Sequence, residues 1–186
     1  MQTVEEKIIL GIDPGTTVMG YGIIRCRTGN PSLVTLGVLK LSGYSGQPLK
    51  LKRIFERTLS LIDEFHPQEV AIEAPFYGKN VQSMLKLGRA QGVAMAAAMY
   101  RSVPIFEYSP RKIKQSITGK GNASKEQVAA MLMRLMSIPD TPETFDATDG
   151  LAVAVCHYFQ KPPLQQEKTY NSWKAFLNDN PERLKK

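Results

Sequence analysis

The sequence predicts an α/β domain built on a five-stranded mixed sheet, three antiparallel strands followed by parallel ones, with helices flanking it. Three observations carry this expectation. The apolar run Ile8-Ile9-Leu10-Gly11-Ile12 is continuous rather than alternating and stops at Asp13-Pro14-Gly15, as a strand buried on both faces does. A second such run, Val70-Ala71-Ile72, stops the same way at Glu73-Ala74-Pro75. Around and after it, apolar residues recur at helical spacing, so strands alternate with helices.

Each element follows from local signals. Residues 21–27 and 33–41 flank the turn signal Thr28-Gly29-Asn30-Pro31 and form a hairpin, giving three antiparallel strands with the first run. Over residues 49–65 the positions Leu51, Ile54, Phe55, Leu59, Leu61, Ile62 and Phe65 define a helix that His66-Pro67 closes. Residues 80–101 form a long helix with the small residues Gly88, Gly92 and Ala96 at fourfold spacing. These would pack against the sheet or against a second copy of the chain. Ile105-Phe106 makes the last strand, and two helices remain. One starts at Ser124, with Gln127 as its capping-box partner, and runs to about residue 136. The other starts near Thr141-Pro142, with Pro at the first helical position, and runs to about residue 159. Residues 1–160 thus form one domain, and 161–186 a polar, basic tail in which Trp173 and Phe176 could dock a helix.

Charge narrows the function. The 186 residues carry +7, but residues 77–125 hold nine bases (Lys79, Lys86, Arg89, Arg101, Arg111, Lys112, Lys114, Lys120 and Lys125) and one acid, Glu107. That balance of +8 leaves −1 for the rest. A cationic middle third on a neutral frame suggests a polyanion such as DNA, whose counterions Lys and Arg displace. Two lone cysteines, Cys26 and Cys156, support neither a disulfide framework nor a zinc site, which fits a reducing compartment. With acids in Met1-Gln2-Thr3-Val4-Glu5-Glu6 and no apolar run long enough to span a bilayer, the cytoplasm is expected, with no membrane partner.

Four acids stand where acids are poor structural choices. Asp13 and Glu73 end buried strands, and the carboxyl ends of such strands are where α/β sheets bind ligands. Asp146 and Asp149 lie three apart on one helix, on a face continued by Gly150, Val153 and Cys156, which turns them toward the sheet. Four converging carboxylates repel unless cations sit between them, and Mg²⁺ or Mn²⁺ prefers oxygen ligands. Two such ions roughly 3.5–4 Å apart can activate water and stabilise the leaving oxygen of a phosphodiester.

The set Gly11-Ile12-Asp13-Pro14-Gly15, Gly20-Tyr21-Gly22, Ala71-Ile72-Glu73, Lys79-Asn80, Leu85-Lys86-Leu87-Gly88-Arg89-Ala90-Gln91-Gly92, Phe106-Glu107-Tyr108, Lys112-Ile113-Lys114-Gln115 and Asp146-Ala147-Thr148-Asp149-Gly150-Leu151-Ala152 resembles the RuvC family of Holliday-junction resolvases. The match runs in order over about residues 7–160. The resemblance implies a ribonuclease H-like fold and a homodimer that nicks opposed strands of a four-way DNA junction with Mg²⁺. It also implies the branch-migration proteins RuvA and RuvB as partners. Asp13, Glu73, Asp146 and Asp149 match the family's metal-binding acids. Lys114 and Lys125 match bases that contact DNA near the scissile phosphate, and Phe76 matches an aromatic that inserts at the junction centre. Lys79, Lys86, Arg89, Lys112 and Lys120 are further candidates for DNA backbone, Lys120 within the glycine loop Gly119-Lys120-Gly121. Where the family usually has Ala, this chain has Gly150, which costs helix propensity and predicts a looser Asp149.

Two other classes compete. The opening around Asp13 resembles the phosphate loop of sugar and acetate kinases, but those clamp nucleotide between two related domains and only one is expected here. A silent junction-binding module would gain nothing from four acids facing phosphate. His157 is expected to pack in the core rather than bind metal.

Overall fold

The computed structural model describes residues 6–27, 31–76, 80–138 and 145–160. Its sheet has the order β3-β2-β1-β4-β5, with β1 at Lys7–Asp13, β2 at Val18–Cys26, β3 at Pro31–Lys40, β4 at Glu69–Glu73 and β5 at Ile105–Tyr108. The first three strands pair antiparallel, while β1–β4 and β4–β5 are parallel. The mixed sheet matches the expectation, and the hairpin strands extend beyond it. Val18 to Gly20 already pair with Lys40, Leu39 and Val38 of β3, and Gly20 also lies opposite Asp13.

Helices α1 (Gln47–Phe65) and α2 (Val81–Tyr100) cover one face. The other carries α3 (Pro110–Thr118), α4 (Lys125–Leu135) and α5 (Phe145–Phe159). Strand alternation divides the core accordingly. Leu10, Ile12, Val70 and Ile72 pack with α1 and α2, whereas Ile9, Ile24 and Ala71 pack with α3, α4 and α5. Helix ends follow the local signals. His66 closes α1 in the left-handed region at φ 48°, Asn80 Oδ1 accepts from the Ser83 N–H at 3.1 Å, and Ser124 and Gln127 form the reciprocal capping box of α4.

Two expectations are corrected, and one open choice is decided. Helix α3 was not anticipated, because nine residues carry too short a periodicity. Its signal is nonetheless local. Ser109 caps the Lys112 N–H, Pro110 opens the helix, Ile113 and Ile117 face the core, and Gly119 closes it at φ 75°. Of the two packings open to the small residues of α2, against the sheet or against a second copy, Gly88 and Gly92 do not take the first. A Cβ at Gly88 or Gly92 meets nothing within 4 Å, while Ala90, Ala94, Ala97 and Ala98 are the buried ones. The second correction concerns Gly150, whose missing side chain seats α5 rather than loosening it. A Cβ there would stand 2.4 Å from the backbone N and Cα of Tyr21. Across the same contact, a Cβ at Gly20 would lie 2.0 Å from the Asp146 carbonyl oxygen, and one at Gly11 2.3 Å from that of Gly150. The segment expected to open the last helix, 141–144, lies outside the described residues, as do the tail 161–186 and the turn residues 28–30.

His157 packs as anticipated. Buried near the outer end of α5, its Nε2 meets Glu69 Oε2 at 2.5 Å and its Nδ1 meets the Tyr108 hydroxyl at 2.6 Å. A carboxylate only accepts, so Nε2–H donates to Glu69 and Nδ1 accepts the phenol proton. Burial lowers the pKa of His157 and keeps the ring neutral, against the pull of Glu69.

Replacing Gly150 by Ala therefore tests the helix–sheet contact. Ala is the better helix former by about 1 kcal/mol, yet the added methyl has no room. Net destabilisation of about 1–3 kcal/mol is expected, measured as a lower midpoint in chemical denaturation; an unchanged or higher midpoint contradicts this packing.

Candidate active site

Parallel pairing of Ile12 with Ile72 sets Asp13 and Glu73 side by side at the carboxyl ends of β1 and β4. Gly11 and Ala71 lie against the α5 side of the sheet, so two residues on, both acids face that side as well. There α5 presents Asp149, with a side chain 15% exposed, and Asp146, 43% exposed. A pocket of about 80 Å³ gathers Asp13, Glu73, Asp149, Lys114 and Lys125, walled by Pro110 and Ile113 of α3 and Val128 of α4. Asp146 does not line this pocket, so the two aspartates of α5 are not equivalent.

Electrostatics mark the site. Burial and the nearby charges of Asp149 and Asp146 raise the Asp13 carboxyl to about 7, against the pull of Lys125. Burial, then Asp13 and Asp149, raise Glu73 to about 8, against Lys125 and Lys114. Lys125 Nζ donates to Asp149 Oδ2 at 2.5 Å and lies 3.9 Å from Asp146 Oδ1. Burial alone would lower its pKa, but the Asp149 hydrogen bond and the surrounding acids raise it and keep the ammonium charged. Among the described residues no three acids are already drawn around one point at metal-ligand spacing; the cation they face is Lys125. The donor set nevertheless suits a hard divalent ion, since every group is a carboxylate oxygen and two of them resist ionisation without added positive charge.

A family model described as "Crossover junction endodeoxyribonuclease RuvC" matches residues 9–157. The chain belongs to the RuvC family. A crossover junction endodeoxyribonuclease RuvC of Cytophaga hutchinsonii is 58% identical over 97% of this chain and 89% of its own length. One of Bacteroides fragilis is 57% identical over the full length of both. The Thermus thermophilus RuvC solved in complex with a Holliday junction substrate is 32% identical, superposes with a TM-score of 0.76, and is covered to 93% by 82% of this chain. The fold is ribonuclease H-like, and the yeast mitochondrial Holliday junction resolvase Ydc2 shares it at a TM-score of 0.58 and 15% identity.

Other residues singled out for RuvC-type DNA contacts fall in different places. Phe76 is 72% exposed at the mouth of a second pocket, which also contains Asp13 and Glu73. Lys112 is exposed on α3. Lys120 lines a groove with Gln127, Met131 and Arg134, outside the acid pocket. Lys86 and Arg89 are exposed on α2, Arg89 beside Val81 and Leu85. Lys79 lies outside the described residues. Sequence reasoning missed Gln91. Its Nε2 donates to Glu107 Oε2 at 2.7 Å and reaches the Glu73 carbonyl at 3.5 Å, bridging the ends of β4 and β5. The available signal was a lone amide in the buried alanine stripe of α2.

The raised acids set a pH dependence. The folded protein holds these two protons more tightly than the unfolded chain, so stability falls as pH rises from the ordinary carboxyl range through about 7 and 8. In chelator, the melting temperature should fall over that window, and Asp13→Asn should flatten the fall. Mg²⁺ should restore stability increasingly toward high pH, because binding displaces the protons. A melting temperature independent of pH and Mg²⁺ would contradict this account.

Proposed function

We propose that this chain resolves four-way DNA junctions in recombination and repair by paired nicks in opposed strands. Asp13, Glu73, Asp146 and Asp149 would hold two Mg²⁺ ions, with Mn²⁺ as a substitute. The observation that carries the reading is one pocket at the carboxyl ends of the parallel strands that gathers Asp13, Glu73 and Asp149 with Lys114 and Lys125, with Asp146 3.9 Å from Lys125 Nζ. Bound there, the ions would supply a hydroxide nucleophile and stabilise the leaving oxygen.

The chain's own residues do the remaining work. Asp13 and Glu73, which burial keeps from ionising alone, would hold the ions as carboxylates. Lys125, which donates to Asp149, and Lys114 on α3 would meet the scissile phosphate. Phe76, exposed and ahead of α2, stacks at the junction centre. Lys79, Lys86, Arg89, Lys112 and Lys120 hold backbone phosphates of the arms. In this reading residues 1–160 are the nuclease domain and 161–186 an accessory tail. The protein works in the cytoplasm with RuvA and RuvB, as the family resemblance implies. Among the described residues, no helix is long and apolar enough to cross a membrane.

Paired nicks need two active sites, hence a homodimer. The outward face of α2 supports this. Val81, Leu85, Gly88, Gly92 and Met99 fall on one side at intervals of three, four or seven residues, and Val81, Leu85 and Met99 are 57–64% exposed. The open space over Gly88 and Gly92 admits a second helix.

Asp13→Asn should lower the cleavage rate on a synthetic four-way junction by more than ~100-fold. Binding in a gel-shift assay should persist, since the change removes a negative charge facing phosphate. Retained cleavage would discard the metal assignment. Sedimentation at micromolar concentration should give twice the 20.7 kDa chain mass and the single mass for Leu85→Glu; a monomeric parent protein would discard the paired-nick dimer.

A further inference from the structure

Lys125 stands where a lysine is a poor helix residue. It is the first residue of α4, directly after the N-cap Ser124. The first turn of a helix concentrates unpaired N–H groups and the positive end of the dipole, which favour acids such as the neighbouring Glu126. The reason for a cation lies across the acid pocket, where Lys125 Nζ donates to Asp149 Oδ2 at 2.5 Å. A local rule broken in this way marks a demand from elsewhere in the fold.

Packing does not aim this side chain. It is 54% exposed, against 15% for Asp149, so its direction is set by the backbone at the helix start. Cα–Cβ bonds tilt toward the N-terminus of a helix, and at the first position that tilt throws a side chain past the helix end rather than along its flank. The tilt holds only while residue 125 is helical. Three hydrogen bonds keep it so: Gln127 N–H donates to Ser124 Oγ at 3.3 Å, Ser124 N–H donates to Gln127 Oε1 at 3.0 Å, and Val128 N–H donates to the Ser124 carbonyl at 3.1 Å. Upstream, Ala123 is buried and its N–H donates to the Lys120 carbonyl at 3.3 Å, so the chain enters the cap from a fixed point. Val128, also buried, fastens the same turn to the pocket wall.

We propose that the Ser124–Gln127 capping box is a positioning device for the cleavage step, holding Lys125 at the acid pocket against the helix dipole. Ser124 and Gln127 are its positioning residues. Neither lines the acid pocket, so both act through Lys125 rather than on the phosphate. The inference rests on the role proposed above for Lys125 at the scissile phosphate.

The test is single-turnover cleavage of a four-way junction with Mg²⁺ at saturating protein, with junction binding measured separately in chelator. Ser124→Ala and Gln127→Ala should each slow cleavage about fivefold and leave binding unchanged. Ser124→Thr and Gln127→Glu, which can rebuild the box, should recover the parent rate. Reactions are run far below the melting temperature of every variant, where a cap that only stabilised the fold would not change the rate. In Lys125→Met, adding Ser124→Ala should cause no further loss of rate, because the group it positions is gone. A parent rate in both alanine variants overturns the positioning role alone. So does a failure of Ser124→Thr and Gln127→Glu to recover it, or a further loss in the Lys125→Met background. Cleavage by Lys125→Met at the parent rate overturns the reading of Lys125 and the positioning role with it. If Lys125→Met is too slow to follow, the alanine and restoring variants decide.

Discussion

The contact on which the rest depends is the seating of α5 directly on the backbone of β1 and β2. Gly11, Gly20 and Gly22 on the strands face Gly150, Leu151 and Ala154 on the helix. Side chains at the glycines would sit 2.0–2.4 Å from backbone atoms across the contact. Helices usually stand off a sheet by the depth of a side-chain layer; here backbone meets backbone. That closeness brings Asp149 within reach of Asp13 and Glu73, which strand pairing alone had placed together. It also explains why α5 is buried along most of its length although it carries two acids at one end.

The electrostatic arrangement follows from that geometry. Burial first, and then the neighbouring acids that packing drives together, raise the pKa values of Asp13 and Glu73 to about 7 and 8. Lys125, at the first turn of α4, is the chain's own answer to that charge, bonded to Asp149. The same two helices that bring Lys114 and Lys125 to the acids build the wall of the pocket. A net charge of +7 therefore conceals an acidic centre with basic surroundings.

The two faces of the sheet divide the labour. The α3–α5 side builds the acid pocket with two lysines, while α2 on the other side sends only Leu87 and Gln91 toward the acids, into the apolar pocket beside them. Its remaining surface carries exposed Val81, Leu85 and Met99 beside the open space over Gly88 and Gly92. A single chain thus presents a chemical edge at the strand ends and a flat helical side suited to another helix.

Much of this was legible in the sequence. The runs ending at Asp13 and Glu73, the three antiparallel strands, the capping box at Ser124 and the shared face of Asp146 and Asp149 all rest on short-range stereochemistry, which a sequence records directly. Helix α3 escaped because nine residues give too few turns for a period to show, although its Ser-Pro start and Gly stop were present. Other features depended on distances between segments far apart in the chain. Gly150 reads as a weak helix residue until Tyr21 is seen 2.4 Å from where its Cβ would be, and Gly88 and Gly92 read as packing positions until nothing is found over them. Gln91 is one amide among alanines until its Nε2 is seen bonded to Glu107 at the end of the neighbouring strand. By itself the sequence determined which residue types end the strands. Only the tertiary structure decided how closely the helices approach them, because that spacing is set by side chains that are missing as much as by those present.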